Sequence, residues 1–266
     1  MLRYFKVLVK QLSFLLKRRK TILLNFGAGL VVLGGLLGGC EKGVFFRSGT
    51  ETSEIIILEP FEEIVINDIF DIELQTGSGF SIQLTGKEKV LENILFEVAD
   101  NRLELTDENS FIWLPDYPVV KLLITFPDIS TININSASKI FSNDTLNIGR
   151  LSLLAGAQLI DLDLVVNASN IALRTGTDNY GHYTLRGYSK NIDLWIFGSA
   201  QLWADALVTE SAKVRNYSIA GCHVYAREEL RVWLEHYGNI YYYSSPEEII
   251  IESEKSRGRL IQRVVD

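Results

Sequence analysis

The segment GSAQLW at residues 198–203 has a counterpart in GAQLI at 156–160, where small residues are again followed by Gln and Leu. Four further segments place a polar residue before an apolar one in the same way. The polar positions of the six motifs are Lys139, Gln158, Asn179, Gln201, His223 and Asn239, and the intervals between them are similar. Six motifs at near-regular spacing predict a structural repeat of about 20 residues.

Short alternating strands lie between the motifs. Ile160, Leu162 and Leu164 share one face of their segment, whereas Asp161 and Asp163 share the other. Such alternation is typical of strands with one buried and one solvated face. An antiparallel meander and a coil of stacked turns both accommodate these strands, and the fixed period favours the coil. We therefore predict an all-β fold, with a parallel β-helix-like solenoid over residues 129–250.

Small residues precede the polar position in five of the six motifs. They are Ser138, Ala157, Ala200, Cys222 and Gly238. We expect these residues to stack at corners of the coil, where successive turns leave little room. Nearby glycines such as Gly198 can adopt turn conformations that other residues resist.

The flanking regions differ from the repeats. Residues 55–128 form an N-terminal β segment that adds turns or caps one end. Within it, FEEIVINDIFDIELQTG (61–77) predicts two strands with a break near Asn67–Asp68, and a hairpin is expected around Asp100–Asn101. At the other end, residues 251–266 form a charged C-terminal tail that caps the solenoid or trails from it.

Residues 1–39 have the organisation of a secretory signal peptide. A basic region ending in KRRK (17–20) is followed by an apolar, glycine-rich run. The run ends in LGGC, which resembles a bacterial lipobox, so we expect acylation of Cys40 with fatty acids such as palmitate. Residues 40–54 would then be the lipidated Cys40 and its tether. The alternative is an uncleaved membrane anchor with an incidental cysteine.

Charge and cysteine content exclude some classes of function. Seven of the 26 Lys and Arg residues lie within positions 1–39, which contain no Asp or Glu, so the remaining chain has 19 basic and 33 acidic residues. Such an acidic body is a poor partner for nucleic acid. If Cys40 carries lipid, Cys222 is the one remaining cysteine and cannot form an intrachain disulfide.

Several motifs together resemble a known family. They are the opening FEEIVINDIFDIELQTG (61–77), the repeats SASKI, AGAQLI, FGSAQLW and IAGCHVY, and the closing YGNIYYYSSPE (237–247). They resemble the head GIN domain of putative auto-transporter adhesins, often lipoproteins of Bacteroidetes-type bacteria. The resemblance covers roughly residues 56–250. It implies a right-handed β-helix-like fold without known catalysis.

Sites for catalysis or metal are not indicated. His182, His223 and His236 lack metal-site spacing, and Cys222 is expected to be a buried, inert thiol. We predict no cofactor and no enzymatic activity. Two alternatives stay open, namely a calcium loop at GTDNYG (176–181) and a carbohydrate-active enzyme that uses outward carboxylates. The outward carboxylates are Asp161, Asp163, Asp193 and Asp205.

Outward aromatic residues are the strongest candidates for binding. Trp195, Trp203, Tyr225 and Trp233 each alternate with the aliphatic core of their strands and could form a platform on adjacent turns. We therefore predict a non-enzymatic outer membrane lipoprotein that faces the periplasm or the cell surface. Its solenoid would present a binding or adhesive surface to a glycan or to an envelope or host protein. A structural envelope component that assembles laterally is the further alternative.

Overall fold

The computed structural model describes residues 50–109 and 117–263, and almost every element in these ranges is a β-strand. The described residues up to Phe141 contain one short helix, α1 (Glu88–Leu91), and nine strands. The strands are β1 (Glu51–Ile57), β2 (Glu63–Ile66), β3 (Phe70–Thr76), β4 (Ser81–Lys87), β5 (Ile94–Ala99), β6 (Arg102–Asp107), β7 (Val120–Phe126), β8 (Thr131–Ile134) and β9 (Ser138–Phe141).

The described residues after Phe141 contain eight strands, of which the longest take part in both sides of the solenoid. They are β10 (Leu146–Ala155), β11 (Ile160–Thr175), β12 (His182–Gly198), β13 (Gln201–Ser218), β14 (Cys222–Leu234), β15 (Ile240–Tyr242), β16 (Glu248–Glu254) and β17 (Leu260–Gln262). Strands of successive turns pair in parallel, for example Leu162 with Tyr183 and Leu202 with Cys222. The prediction of an all-β solenoid is therefore confirmed, with about seven turns.

Two sheets form the sides of the solenoid. The first sheet contains β1, β4, β7, β3 and β9, continues through the N-terminal parts of β11–β14, and ends in β15 and β17. The second sheet contains β5, β6, β2, β8 and β10, continues through the C-terminal parts of β11–β14, and ends in β16. From β7 onwards, successive strand segments alternate between the two sheets, whereas β3 and β4 both lie in the first sheet and β5 and β6 both lie in the second.

The core fills the space between the sheets with stacked aliphatic columns. One column contains Ile72, Ile140, Leu162, Tyr183, Leu202, Cys222 and Ile240, all of them buried. Parallel strands place equivalent residues about 4.8 Å apart, so each side chain packs on its counterpart in the next turn. The outward positions between them are more exposed, as the alternation predicts.

The N-terminal segment has the strands expected for it. β2 and β3 are separated at Asn67–Ile69, and a hairpin joins β5 to β6. Asp100 and Asn101, the two residues of that hairpin, have φ values of 51° and 60°. These values fit the tight turns that match strand twist, which favour Asp, Asn and Gly. β4 runs antiparallel to both β1 and β7, so the first sheet is mixed at this end.

The C-terminal stretch 251–266 contains strand residues rather than loop alone. β16 pairs with β14, and β17 pairs with β15. The solenoid therefore extends to Gln262. In residues 50–109 and 117–263, no helix combines the length and apolar character that crossing a membrane requires.

The repeat is in the predicted place, but its residue-by-residue alignment differs. Trp203, not Gln201, pairs with His223, and Cys222 stacks on Leu202 instead of on Ala200. The expected column of small residues is therefore wrong at Cys222. A shift by two residues preserves the inward and outward pattern of a strand, so sequence alternation alone could not fix the alignment.

Gly198 performs the turn predicted for it. Its φ is +69°, and a Cβ added there would lie 2.3 Å from the carbonyl oxygen of Asn179. A side chain at this position would both strain the backbone and collide with the turn below. Gly198 thus lets β12 leave the second sheet and β13 begin in the first.

Candidate functional site

An aromatic ladder crosses the C-terminal turns of the first sheet. Trp203, His223 and Tyr241 occupy equivalent positions on β13, β14 and β15. Ring centroids are 3.8 Å apart between Trp203 and His223 and 4.7 Å apart between His223 and Tyr241, with interplanar angles of 18° and 25°. These distances are near the spacing of strands, about 4.8 Å, so the rings stack along the solenoid axis. We call these residues the first-sheet ladder.

The C-terminal end of the first-sheet ladder is covered. The Arg263 guanidinium lies 5.1 Å from the ring centroid of Tyr241. Asn239 Nδ2 donates a hydrogen bond to the Tyr241 hydroxyl at 2.9 Å, and His223 Nδ1 is 2.8 Å from the Tyr243 hydroxyl. The edges of these rings reach solvent, whereas their faces are covered by other side chains of the protein.

Trp203 is the last ring at the other end of the ladder, and its outer ring face is open. On that side its register neighbour is Thr184, which is too short to cover an indole. Trp203 is 43% exposed, and no aromatic ring or cation within the described residues stacks on this side. Next to Thr184 lies Asp163, whose carboxylate is 2.6 Å from Arg186 Nη2. We call Trp203, Thr184, Asp163 and Arg186 the Trp203 site.

This arrangement suits a ligand that has both an apolar face and hydroxyl groups. The indole offers a flat apolar surface. The Thr184 hydroxyl and the exposed Asp163–Arg186 pair offer donors and acceptors beside it. Sugar rings combine these two features in one ligand.

The second sheet carries a different ladder. Arg174, Trp195, Arg215 and Trp233 occupy equivalent positions on β11–β14. The Arg215 guanidinium lies 4.3 Å from the Trp195 ring centroid and 4.1 Å from that of Trp233. Arg174 covers the other face of Trp195 at 5.5 Å, and Asp193 forms an ion pair with Arg215. We call these four stacked residues the second-sheet ladder.

The structure does not bring the four predicted aromatic residues together. Trp195 and Trp233 share the second-sheet ladder, whereas Trp203 belongs to the first sheet. Tyr225 pairs with Val208 beyond an irregularity in β13, and it joins neither ladder. The single platform proposed from the sequence is therefore replaced by two separate ladders. Cys40, the predicted lipid attachment site, lies outside the described residues.

Sequence reasoning missed the residues that build the ladders around the tryptophans. His223 and Arg215 look like ordinary polar positions in the sequence. They gain their roles because the register places each of them directly beside a tryptophan of a neighbouring turn. An alignment on the inward positions Leu202 and Cys222 would have placed His223 beside Trp203, whereas the register shifts in β13 hide the pairing of Arg215 with Trp233.

Burial shapes the protonation of His223. Loss of solvent around the ring lowers the pKa of His223 below its usual value of 6.5, and the positive charge of Arg263 lowers it further. Asp205 acts in the opposite direction. The neutral imidazole is therefore favoured at neutral pH, which suits its place between two aromatic rings.

Two residues near the ladder have structural roles. Cys222 is fully buried as predicted, and burial raises the pKa of its thiol to about 12. Asn179 of the GTDNYG segment donates from Nδ2 to the Ala157 carbonyl and to the Tyr183 hydroxyl, each at 2.7 Å. Its Oδ1 accepts from the Gly181 amide at 2.9 Å. The Asn179 side chain is therefore directed into the fold instead of towards a calcium ion.

The outward carboxylates are divided between the two sheets. Asp163 and Asp193 form ion pairs with arginines on different sheets, and Asp161 has His182 as its register neighbour. Within residues 50–109 and 117–263, no three His, Cys, Asp or Glu side chains are close enough to share a metal ion. Asp161 and Asp163 lie two residues apart on the first-sheet part of β11, and Asp205 is close enough to His223 to affect its pKa, whereas Asp193 alone lies on the second sheet.

Known structures share this fold. A "putative adhesin" of Bacteroides fragilis is 17% identical, with a TM-score of 0.73 over 81% of this chain and 98% of that one. A "putative adhesin" of Parabacteroides distasonis is 17% identical, with a TM-score of 0.56 and the same coverage. A "putative lipid binding protein" of the same species is 14% identical, with a TM-score of 0.56 over 81% and 97%.

Sequence comparison defines the family. No curated protein matches the chain. The family profile described as "putative auto-transporter adhesin, head GIN domain" matches residues 60–246, which contain both ladders and most of both sheets. The chain therefore belongs to the auto-transporter adhesin head GIN domain family.

Proposed function

We propose that this protein is a lipid-anchored, non-enzymatic envelope protein whose solenoid binds glycan chains at the Trp203 site. The observation that carries the proposal is the open indole face of Trp203, set beside Thr184 and the Asp163–Arg186 pair. Stacking on an aromatic ring combined with hydrogen bonds from fixed side chains gives both affinity and orientation to a bound molecule.

Several observations support a binding role over catalysis. The description of the family names adhesins. Asp163 is neutralised by Arg186, and Asp193 lies on the other sheet beside Arg215. A carbohydrate-cleaving enzyme generally uses a pair of carboxyl groups flanking one bond, and here the ion pair with Arg186 engages one of the two carboxylates on this face of β11.

The anchoring part of the proposal concerns Cys40. The LGGC sequence (37–40) and the basic and apolar regions before it support acylation there. Several acyl chains on one cysteine would hold the protein stably at a membrane. Together with the family's adhesin description, this supports an outer membrane lipoprotein that faces the periplasm or the cell surface.

A glycan array with residues 41–266 tests the binding role. We expect selected glycans to bind, and Trp203→Ala to reduce that signal strongly, whereas Trp195→Ala retains it. If the protein bound no glycan but captured an envelope or matrix protein through Trp203, the ligand class would be wrong. Equal loss of binding in both variants would refute the assignment to Trp203.

Acylation is tested separately in cells. A clickable palmitate analogue should label the wild-type protein and leave Cys40→Ala unlabelled. Mass spectrometry of the mature N-terminal peptide should identify a modified Cys40. An unmodified chain that begins before residue 40 would instead support the uncleaved anchor.

A further inference from the structure

A line of exposed apolar side chains follows one corner of the solenoid. Each residue lies in the turn that leads into a strand of the first sheet, one to three positions before the strand begins. All are at least 40% exposed. In spatial order they are Val119, Ile69, Leu159, Tyr180, Ile219 and Tyr237. We call them the apolar ridge.

The strand register aligns these residues along the solenoid. Each lies three positions before a member of a paired column of the first sheet, which includes Ile72, Leu162 and Tyr183. Backbone hydrogen bonds keep the turns stacked, since the Tyr180 amide donates to the Gln158 carbonyl at 2.8 Å. Seven strand steps of about 4.8 Å give the ridge a length of about 34 Å.

Neither the core nor the ladders account for the apolar ridge. Its side chains are exposed, and none of them belongs to the core or to either ladder. The two turns that interrupt it carry the small residues Ala137 and Ser199. Aligned exposed apolar side chains mark surfaces that contact another molecule or a membrane.

The shape of the apolar ridge favours a fluid partner. Each turn contributes at most one residue to it, so the ridge is a single row of side chains and offers little area to a rigid protein surface. The interfacial region of a bilayer deforms around such a projection, and Tyr180 and Tyr237 belong to a residue type enriched at that depth.

The point where the chain enters the fold lies near one end of the ridge. The Thr50 carbonyl accepts a hydrogen bond from the Glu88 amide at 3.2 Å, and Glu51 pairs with Lys87. Continuing the β4–β7 register places Lys87 beside Val119. The stretch of chain from Cys40 to Thr50 spans at most about 35 Å. A lipid on Cys40 would therefore hold a bilayer within reach of the ridge.

We propose that the apolar ridge inserts into the interfacial region of the membrane that holds the lipid anchor, so that the solenoid lies on its side. The proposal rests on acylation of Cys40. It assigns a lipid surface to the ridge and leaves the Trp203 site to a separate ligand.

The test uses the full lipidated protein in phosphatidylcholine vesicles, with a bimane fluorophore on single introduced cysteines. Leu159→Cys and Ile219→Cys report on the ridge. Ile251→Cys and Leu154→Cys on the second sheet are matched controls, because Leu159 and Ile251 are both 51% exposed. Cys222 stays unlabelled because it is buried and the pKa of its thiol is raised to about 12.

Brominated phosphatidylcholine should quench the two ridge probes several-fold more than the two control probes, and ridge emission should shift to the blue. Equal quenching at all four positions would overturn the proposal. Blue-shifted ridge probes that lipid does not quench, and that respond to protein density, would overturn it in favour of a second copy of the chain. Failure of the lipid anchor is distinguishable, since the protein would then show an unmodified Cys40 by mass spectrometry.

Discussion

The two ladders have the same spacing between strands but differ in how their aromatic rings are covered. In the second sheet, arginines alternate with tryptophans, so Arg215 is held between two indoles and Trp195 is covered on both faces. In the first sheet, aromatic rings stack directly on one another, and among the described residues only Thr184 is the register neighbour on the other side of the last indole. In the second-sheet ladder the side chains cover one another, whereas the first-sheet ladder leaves one indole face for a ligand.

This difference shows why an outward tryptophan is not in itself a binding site. Rings stacked along a solenoid expose only their edges, because side chains of the neighbouring turns cover their faces. Only the end of such a stack offers a face. We therefore assign stability to the second-sheet ladder and binding to the Trp203 end of the first-sheet ladder, and four experiments can separate the two.

The largest effect is expected from Gly198→Ala, because Gly198 joins the strand of Trp195 to that of Trp203. Alanine at this position would have to adopt a left-handed backbone conformation, and its Cβ would lie 2.3 Å from the Asn179 carbonyl oxygen. We expect a loss of about 3 kcal/mol in the free energy of unfolding, measured by urea denaturation. Gly79→Ala is the control, since nothing lies within 4 Å of its added Cβ. Similar stability of both variants would show that the turn is not constrained.

Arg215→Ala should break the second-sheet ladder alone. It removes the cation between Trp195 and Trp233 and leaves Asp193 without its ion-pair partner. We expect the free energy of unfolding to fall by about 2 kcal/mol, while glycan binding is unchanged. Arg174→Ala, which touches only the outer side of this stack, should cost less. A loss of binding without loss of stability would reverse the assignment of the two ladders.

The sequence predicted the architecture of both sheets well. Alternation in segments such as 159–164 identified the inward positions, and the repeat of about 20 residues distinguished a coil from a meander. The hairpin at Asp100–Asn101 followed from local turn chemistry. These features depend on nearby residues, and a single sequence displays them directly.

The ladders could not be predicted in the same way. They depend on which outward residue of one turn meets which outward residue of the next, and irregularities in β13 change that offset along the strand. The alignment by polar residues therefore missed His223 beside Trp203 and placed Tyr225 with the tryptophans. The apolar ridge was missed for a similar reason, because its members lie in turns of unequal length.

Trp203→Ala should affect binding far more than folding. Removal of the open indole face should weaken glycan binding about tenfold, or about 1.4 kcal/mol, as measured by calorimetry with a glycan selected on the array. We expect a smaller change in the free energy of unfolding, because Trp203 is partly exposed and covers only one face of His223. Trp233→Ala provides the matched control, with reduced stability and intact binding. Equal effects of both variants on binding would remove the distinction between the ladders.

The smallest effect concerns the pH dependence of the first-sheet ladder. Burial lowers the pKa of His223 in the folded state below 6.5, so the unfolded chain binds this proton more readily. Stability from the neutral ring is therefore complete above about pH 6.5 and declines as the pH falls from there towards the lowered pKa. His223→Gln should have a shallower decline in the free energy of unfolding over that range, measured by urea denaturation at several pH values. Gly79→Ala, whose added Cβ would meet nothing within 4 Å, is the control and should follow the wild type. Parallel curves for wild type and His223→Gln would show that the stacked imidazole accepts a proton in the folded protein as easily as in the unfolded one, and the ladder would then impose no selection between its neutral and charged forms.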